Sequence, residues 1–416
     1  MNRKIVFRIL FSLMALALLA ISILGLSSCG QQQTEAVTLY VYNWGEYMSD
    51  GSEGTLDANA MFEDWYYKTY GVKVKVNYST YSSNESMYAK IKSGSVNYDV
   101  IVPSDYTIQR LINDELLAPL NYDNIDNIGN LAPEFYGEDA KYDFYDPGNI
   151  YSVPYMYGMI GIIYNTSVIP ENEDDLGSWS LMWDEDYKGN ILQFNNYRDA
   201  FGTAQYYLHL DVNSPNEADW RAALEKLKEQ KKIVQGYVMD EIYNKMENGS
   251  AAIAAYYAGD YLTMYEENED LEFYYPEEGT NLYVDAMCIP KASQNKEIAE
   301  RYINFMLTEE VAVANAEYTY YASPNRLVRE NQDYIDYLAE IKEDAYEKIY
   351  DTDSVYTSSY EHLSDDKLIL LNNLWEELKS DMEIGLAIYI ICGVIIATLA
   401  GFGIFFAVRK RMRKIQ

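Results

Sequence analysis

Leu39-Tyr40-Val41-Tyr42-Asn43-Trp44-Gly45-Glu46-Tyr47-Met48 is the stretch whose reading decides the fold. Its first half alternates aliphatic residues with tyrosines, the period of a strand, and its second half turns sharply through Asn43, Gly45 and Glu46. A strand that stops there presents an indole, a carboxylate and a phenol at its carboxyl end. Ligands of open α/β sheets sit in the crevice outside the carboxyl ends of the strands, so this segment has the form of a binding edge. Simple packing of Trp44 and Tyr47 at a strand end is the alternative reading.

The chain beyond it repeats the pattern. Residues 57–70 carry Met61, Phe62, Trp65 and Tyr66 at helical spacing and stop at Gly71. Val72 to Val76 alternates as a strand with one wet face, residues 84–93 read as a helix ended by Gly94, and residues 98–103 as a buried strand followed by Ser104, Asp105 and Tyr106. Strand, helix, strand, helix, strand predicts an α/β fold with a parallel sheet. After a tyrosine- and aspartate-rich loop over 121–149, the segments 150–154 and 158–165 read as extended, 179–187 as a short helix and 191–194 as a strand leading through Asn196, Arg198 and Asp199 into a helix. Residues 216–232 are amphipathic, 251–257, 271–275 and 282–290 are strands, and 260–267, 293–316 and most of 333–379 are helical. Because the alternation never settles into one long sheet, two lobes are expected. One comprises residues 36–157 and 285–323, the other residues 158–284 and 324–380. Tyr256 and Tyr257 are adjacent in a strand, so only one of them is expected to face a cleft.

Composition excludes some partners. A formal charge of −33 over 416 residues repels phosphate and argues against nucleic acid. Forty-three tyrosines and six tryptophans supply aromatic faces that attract an ammonium group. Only His209 and His362 are present, with no Gly-x-Ser-x-Gly elbow and no metal-ligand spacing, so a secreted hydrolase built on paired carboxylates is the weaker alternative and no cofactor or metal is expected. At the amino end, Arg3 and Lys4 precede a mostly apolar run that closes with Leu26-Ser27-Ser28-Cys29-Gly30, which resembles a lipobox, so residues 1–28 read as a lipoprotein signal with Cys29 as the lipidated residue. An uncleaved membrane anchor is the other reading of this segment. Residues 384–408 form 25 positions without a charge, followed by Arg409, Lys410, Arg411, Arg413 and Lys414. That run is long enough for a transmembrane helix, and the basic tail 409–416 predicts a cytoplasmic carboxyl terminus, with the rest of the chain outside the cell membrane.

Seven segments in order, LYVYNWGEY from Leu39, STYSSNESMYAK from Ser79, YDVIVPSDY from Tyr98, IYSVPYMYG from Ile150, SWSLMWDEDYKGNI from Ser178, VDAMCIP from Val284 and ASPN from Ala322, make the chain similar to the spermidine/putrescine-binding proteins of bacterial polyamine ABC importers. The resemblance implies two α/β lobes closing by a hinge on a ligand cleft, in the manner of periplasmic binding proteins. It further implies a polyamine ligand, partner permease subunits with a cytoplasmic ATPase, and no enzymatic activity. Carried over by position, the ligand-binding residues are Trp44, Glu46, Tyr47, Ser104, Tyr106, Asp199, Tyr256, Tyr283, Asp285 and Tyr321, with Glu361 supplying one more polar group. The family usually has tryptophans where this chain has Tyr256 and Tyr283, and commonly an acid where it has Asn196. Loss of that carboxylate points towards a diamine rather than a triamine. A receptor for another cationic or organic solute is the runner-up.

Overall fold

A computed structural model describes residues 36–380. The leader with Cys29, the run 384–408 and the basic tail lie outside the described residues. Among those described, no helix is long and apolar enough to cross a membrane.

Ten strands follow in chain order: β1 (Val37–Trp44), β2 (Val74–Tyr81), β3 (Val100–Ile101), β4 (Ser152–Asn165), β5 (Ile191–Phe194), β6 (Val234–Val238), β7 (Ile253–Tyr257), β8 (Leu271–Tyr274), β9 (Thr280–Cys288) and β10 (Thr357–Ser358). They hydrogen-bond in the order β2-β1-β3-β9-β4-β7-β5-β6, with β8 beside β4 and β10 beside β9. In the first lobe β1 lies parallel to both β2 and β3; in the second, β5 lies parallel to both β6 and β7. The two groups meet through β4 and β9, which run antiparallel to each other from Ser152 opposite Cys288 to Met159 opposite Leu282. A third link is the pairing of Tyr157 with Ala322, whose carbonyl accepts the Tyr157 N–H at 3.0 Å.

Local chemistry explains the elements. The helix Ala58–Tyr70 starts where the Asp57 carboxylate accepts the Ala60 N–H and ends at Gly71, whose φ of 70° is the left-handed conformation a helix stop requires. Ser83 and Gly94 do the same for the helix Asn84–Ser93. Val74 and Val76 are buried while Lys75 and Asn77 are exposed, so β2 keeps one wet face. β9 is buried along its whole length, as a central strand covered on both faces must be.

Several expectations are corrected. The two extended segments around Pro154 are one strand of 14 residues, and Pro154 is tolerated because the register with β9 shifts between Pro154 and Met156. The helix expected over 293–316 is two, Lys296–Met306 and Glu309–Thr319, and the short helix expected over 179–187 is two short 3₁₀ segments, Trp179–Trp183 and Glu185–Tyr187. β6 lies in the stretch between residues 232 and 251, where no element is expected from the sequence.

Candidate functional site

Between the lobes lies a cavity of about 270 Å³, close to the lower bound of roughly 300 Å³ common for small-molecule sites. The carboxyl end of β1 brings Trp44, Glu46 and Tyr47 to it, and the turn after β3 brings Ser104, Asp105 and Tyr106. The turn after β5 brings Asn196 and Asp199, β7 with the start of the next helix brings Tyr256, Tyr257 and Asp260, and β9 brings Tyr283 and Asp285. Tyr321 closes the ring from the third inter-lobe link.

Of the residues singled out in the sequence, ten share this cavity: Trp44, Glu46, Tyr47, Ser104, Tyr106, Asp199, Tyr256, Tyr283, Asp285 and Tyr321. Glu361 does not. Its N–H donates to Asn213 Oδ1 at 2.9 Å and its side chain is exposed, whereas Tyr360 is 3% exposed and lines the cavity. The segment continues extended from β10, so successive side chains alternate and the inward position falls one residue earlier than the resemblance implied. The expectation that only one of Tyr256 and Tyr257 faces the cleft is also corrected, since both line it. Tyr257 ends its strand and caps the helix Ala258–Glu267, so strand alternation no longer governs its direction.

The carboxylates differ in their surroundings. Asp285 is 5% exposed; its Oδ2 accepts the Tyr47 hydroxyl at 2.7 Å, while its Oδ1 is buried without a hydrogen-bond partner among the described residues. Asp199 accepts from Tyr257 and from the Asn196 amide, each at 2.8 Å. Arg198 turns away from it, donating to the Val212 carbonyl at 2.8 Å and stacking 4.4 Å from the Tyr360 ring centre, so an Arg198–Asp199 ion pair does not form. Asp260 accepts from Tyr243 at 2.5 Å and Tyr321 at 2.8 Å. Burial pushes the carboxyl of Asp199 up to about 7 and those of Asp260 and Asp285 up to about 6. Asp105 is buried too, but the N–H groups of Tyr106 and Val284 satisfy it, so it ties the first lobe to β9. Glu46 and Asp240 are exposed on the rim, Glu46 in a left-handed conformation with φ of 47° and its carboxylate accepting from Tyr318 at 2.9 Å.

The phenols form the walls. Tyr47 and Tyr321 meet edge to face at 5.0 Å, and Tyr257 meets Tyr283 in the same way at 5.4 Å. Tyr321 lies directly on the backbone of Gly259, where a Cβ would stand 2.4 Å from the ring, and Tyr283 on Gly158, where a Cβ would stand 2.6 Å from the hydroxyl. The Tyr283 hydroxyl and the Trp44 indole N–H are buried with no partner among the described residues. Unpaired buried polar atoms cost about 1–3 kcal/mol each, so the wall is prepared to bond something that brings both donors and acceptors, or donors to Asp285.

Asp260, Tyr243 and Tyr360 are not singled out in the sequence, and Tyr257 is passed over there in favour of its neighbour Tyr256. The signal for Asp260 was available: it follows the carboxyl end of β7 at the start of a helix, the same placement that singled out Asp199 after β5.

Residues 60–345 match the family described as bacterial extracellular solute-binding protein. The spermidine/putrescine-binding periplasmic protein of Salmonella typhimurium is 31% identical over 313 residues, covering 75% of this chain and 84% of its own. Among solved structures, a spermidine/putrescine ABC transporter protein from Listeria monocytogenes superposes with a TM-score of 0.71 at 33% identity, over 83% of this chain and all of that one. The spermidine/putrescine ABC transporter substrate-binding protein of Streptococcus pneumoniae does so with a TM-score of 0.65 at 30% identity, over 83% of this chain and 99% of that one. With two α/β lobes around a shared cavity and a family match spanning most of its length, the chain belongs to the bacterial extracellular solute-binding proteins.

Proposed function

We propose that the protein is the extracellular substrate-binding component of an ABC importer, capturing a polyamine between its lobes and delivering it to a membrane permease driven by a cytoplasmic ATPase. One observation carries this reading. Six acidic residues, nine tyrosines and one tryptophan line the cavity, and no lysine, arginine or histidine among the described residues does. A wall of that kind rejects carboxylates and phosphates and suits a thin apolar chain studded with ammonium groups. The rings cover the methylenes, and each ammonium meets a carboxylate in a water-poor setting where charge-assisted hydrogen bonds contribute about 1.5–3 kcal/mol each and cation–π contacts about 2 kcal/mol. Hinged closure of the lobes around the ligand, lipidation at Cys29 and anchoring by residues 384–408 complete the proposal. Both anchors hold the receptor at the extracellular face of the cell membrane.

The charge count supports a triamine over the diamine that Asn196 alone suggested. Asn196 uses its amide to hold Asp199, and Asp260 brings a third buried carboxylate beside Asp199 and Asp285. A triamine neutralises all three, while a diamine leaves one to stay protonated or unpaired. In a calorimetric panel on ligand-free protein at pH 7.5, spermidine is expected to bind at least about tenfold more tightly than putrescine, and Asp260→Asn is expected to remove most of that difference. Tighter binding of an amino acid, a sugar or an organic acid than of either polyamine would overturn the proposal.

A further inference from the structure

A second seam joins the lobes outside the cavity. On the first lobe it is built by Glu85, in the first turn of the helix Asn84–Ser93, and by Gln109 and Arg110, near the end of the helix Asp105–Asn113. On the second it is built by Tyr197, the first residue of the helix Tyr197–Tyr207, and by His362. Glu85, Arg110, Tyr197 and His362 line one narrow recess, and Gln109 Oε1 accepts the His362 backbone N–H at 2.7 Å across the seam.

Glu85 stands between this seam and the cavity. Its Oε1 accepts the Tyr106 hydroxyl at 3.3 Å, and Tyr106 in turn accepts the Asn84 amide at 3.0 Å and meets the Tyr360 ring edge-on at 6.3 Å. Asn84, Tyr106 and Tyr360 all line the cavity; Glu85 does not. We propose that Glu85 is the positioning residue that couples ligand occupancy to lobe closure, because its single carboxylate holds the cavity tyrosine Tyr106 of the first lobe and faces the Tyr197 hydroxyl of the second. Glu85 and Tyr197 line the same recess, and the Glu85 charge adds to burial in pushing the Tyr197 hydroxyl up, as it adds to the upward push on Asp199.

The mechanism is differential contact. The bond to Tyr106 lies within one lobe and survives opening, whereas the approach of Glu85 to Tyr197 exists only when the lobes are together. A ligand seated against Tyr106 fixes that hydroxyl and with it the carboxylate, so the closed arrangement gains a contact the open one lacks. Such a contact slows escape and leaves capture alone.

The inference rests on the polyamine reading only for its choice of ligand. In the full chain, Glu85→Gln is expected to speed spermidine dissociation about tenfold with association within about twofold, Tyr197→Phe to do the same, and the double variant to show no further gain. Energy transfer between dyes at Lys68 and Lys232, one on each lobe, is expected to show a smaller closed fraction in ligand-free Glu85→Gln than in the parent protein. Dissociation rates within twofold of the parent, additive single variants, or a lowered unfolding temperature with unchanged rates and distances would each overturn it. If spermidine does not bind the parent protein, the polyamine reading fails, and the ligand-free distances still decide the role of Glu85.

Discussion

Asparagine in place of Asp285 is expected to cut polyamine affinity by about 10²–10⁴-fold and, at the same time, to raise the unfolding temperature of the ligand-free protein. The first effect follows from removing one partner of a buried charge pair, which costs about 3–5 kcal/mol. The second follows from burial. The Asp285 carboxyl is held near 6 instead of its ordinary 3.8, so at neutral pH the empty protein carries a charge whose desolvation costs on the order of 2–3 kcal/mol. Asparagine removes that cost. A residue that merely supported the fold would move both quantities in the same direction. Tyr283→Phe is the comparison: its hydroxyl has no partner among the described residues, so its loss is expected to weaken binding by less than about tenfold. Equal effects of the two substitutions, read by titration calorimetry, would mean that Asp285 does not hold an ammonium.

The second large effect is on pH. Carboxyls near 6 to 7 in the empty cavity are protonated at pH 5 and must release protons before they can pair with ammonium groups. Affinity for spermidine is therefore expected to rise by at least about 100-fold between pH 5 and pH 8, with proton release measurable in buffers of different ionisation enthalpy. The stability of the ligand-free protein runs the other way. Each of these groups has its folded value raised above its unfolded one, so the protonated form favours the fold, and that contribution is fully present below about pH 4 and lost as pH rises through 6 to 7. The unfolding temperature without ligand should fall across that window, and saturating spermidine should abolish the fall. A flat affinity profile from pH 5 to pH 8 would show that the three aspartates are not the ammonium partners.

What was legible in the sequence was whatever local chemistry decides. The helices Ala58–Tyr70 and Asn84–Ser93 declare their ends through Gly71 and Gly94, which need no partner to act. The cavity residues at strand ends were legible because a polar or aromatic residue just past a strand's carboxyl end has one place to go in this architecture. Longer-range pairing hid the rest. Pro154 reads as a break until β9 is seen to shift register beside it, and β6 is a short edge strand, half-buried and carrying Gly236, whose pairing with β5 also slips. Asp260 read as a helix residue because its hydroxyl partners, Tyr243 and Tyr321, lie 17 and 61 positions away. Glu361 failed by one position, since alignment fixes neighbourhood and the backbone bonds to Asn213 and Arg198 fix which side chain turns inward.

A crystal structure of the spermidine complex tests the central claim most directly. It is expected to show the lobes closed, the ligand threaded among Tyr47, Tyr283 and Tyr321, and ammonium nitrogens about 3 Å from Asp285, Asp199 and Asp260. Spermidine lying elsewhere on the surface, or its nitrogens pairing with none of these carboxylates, would contradict it.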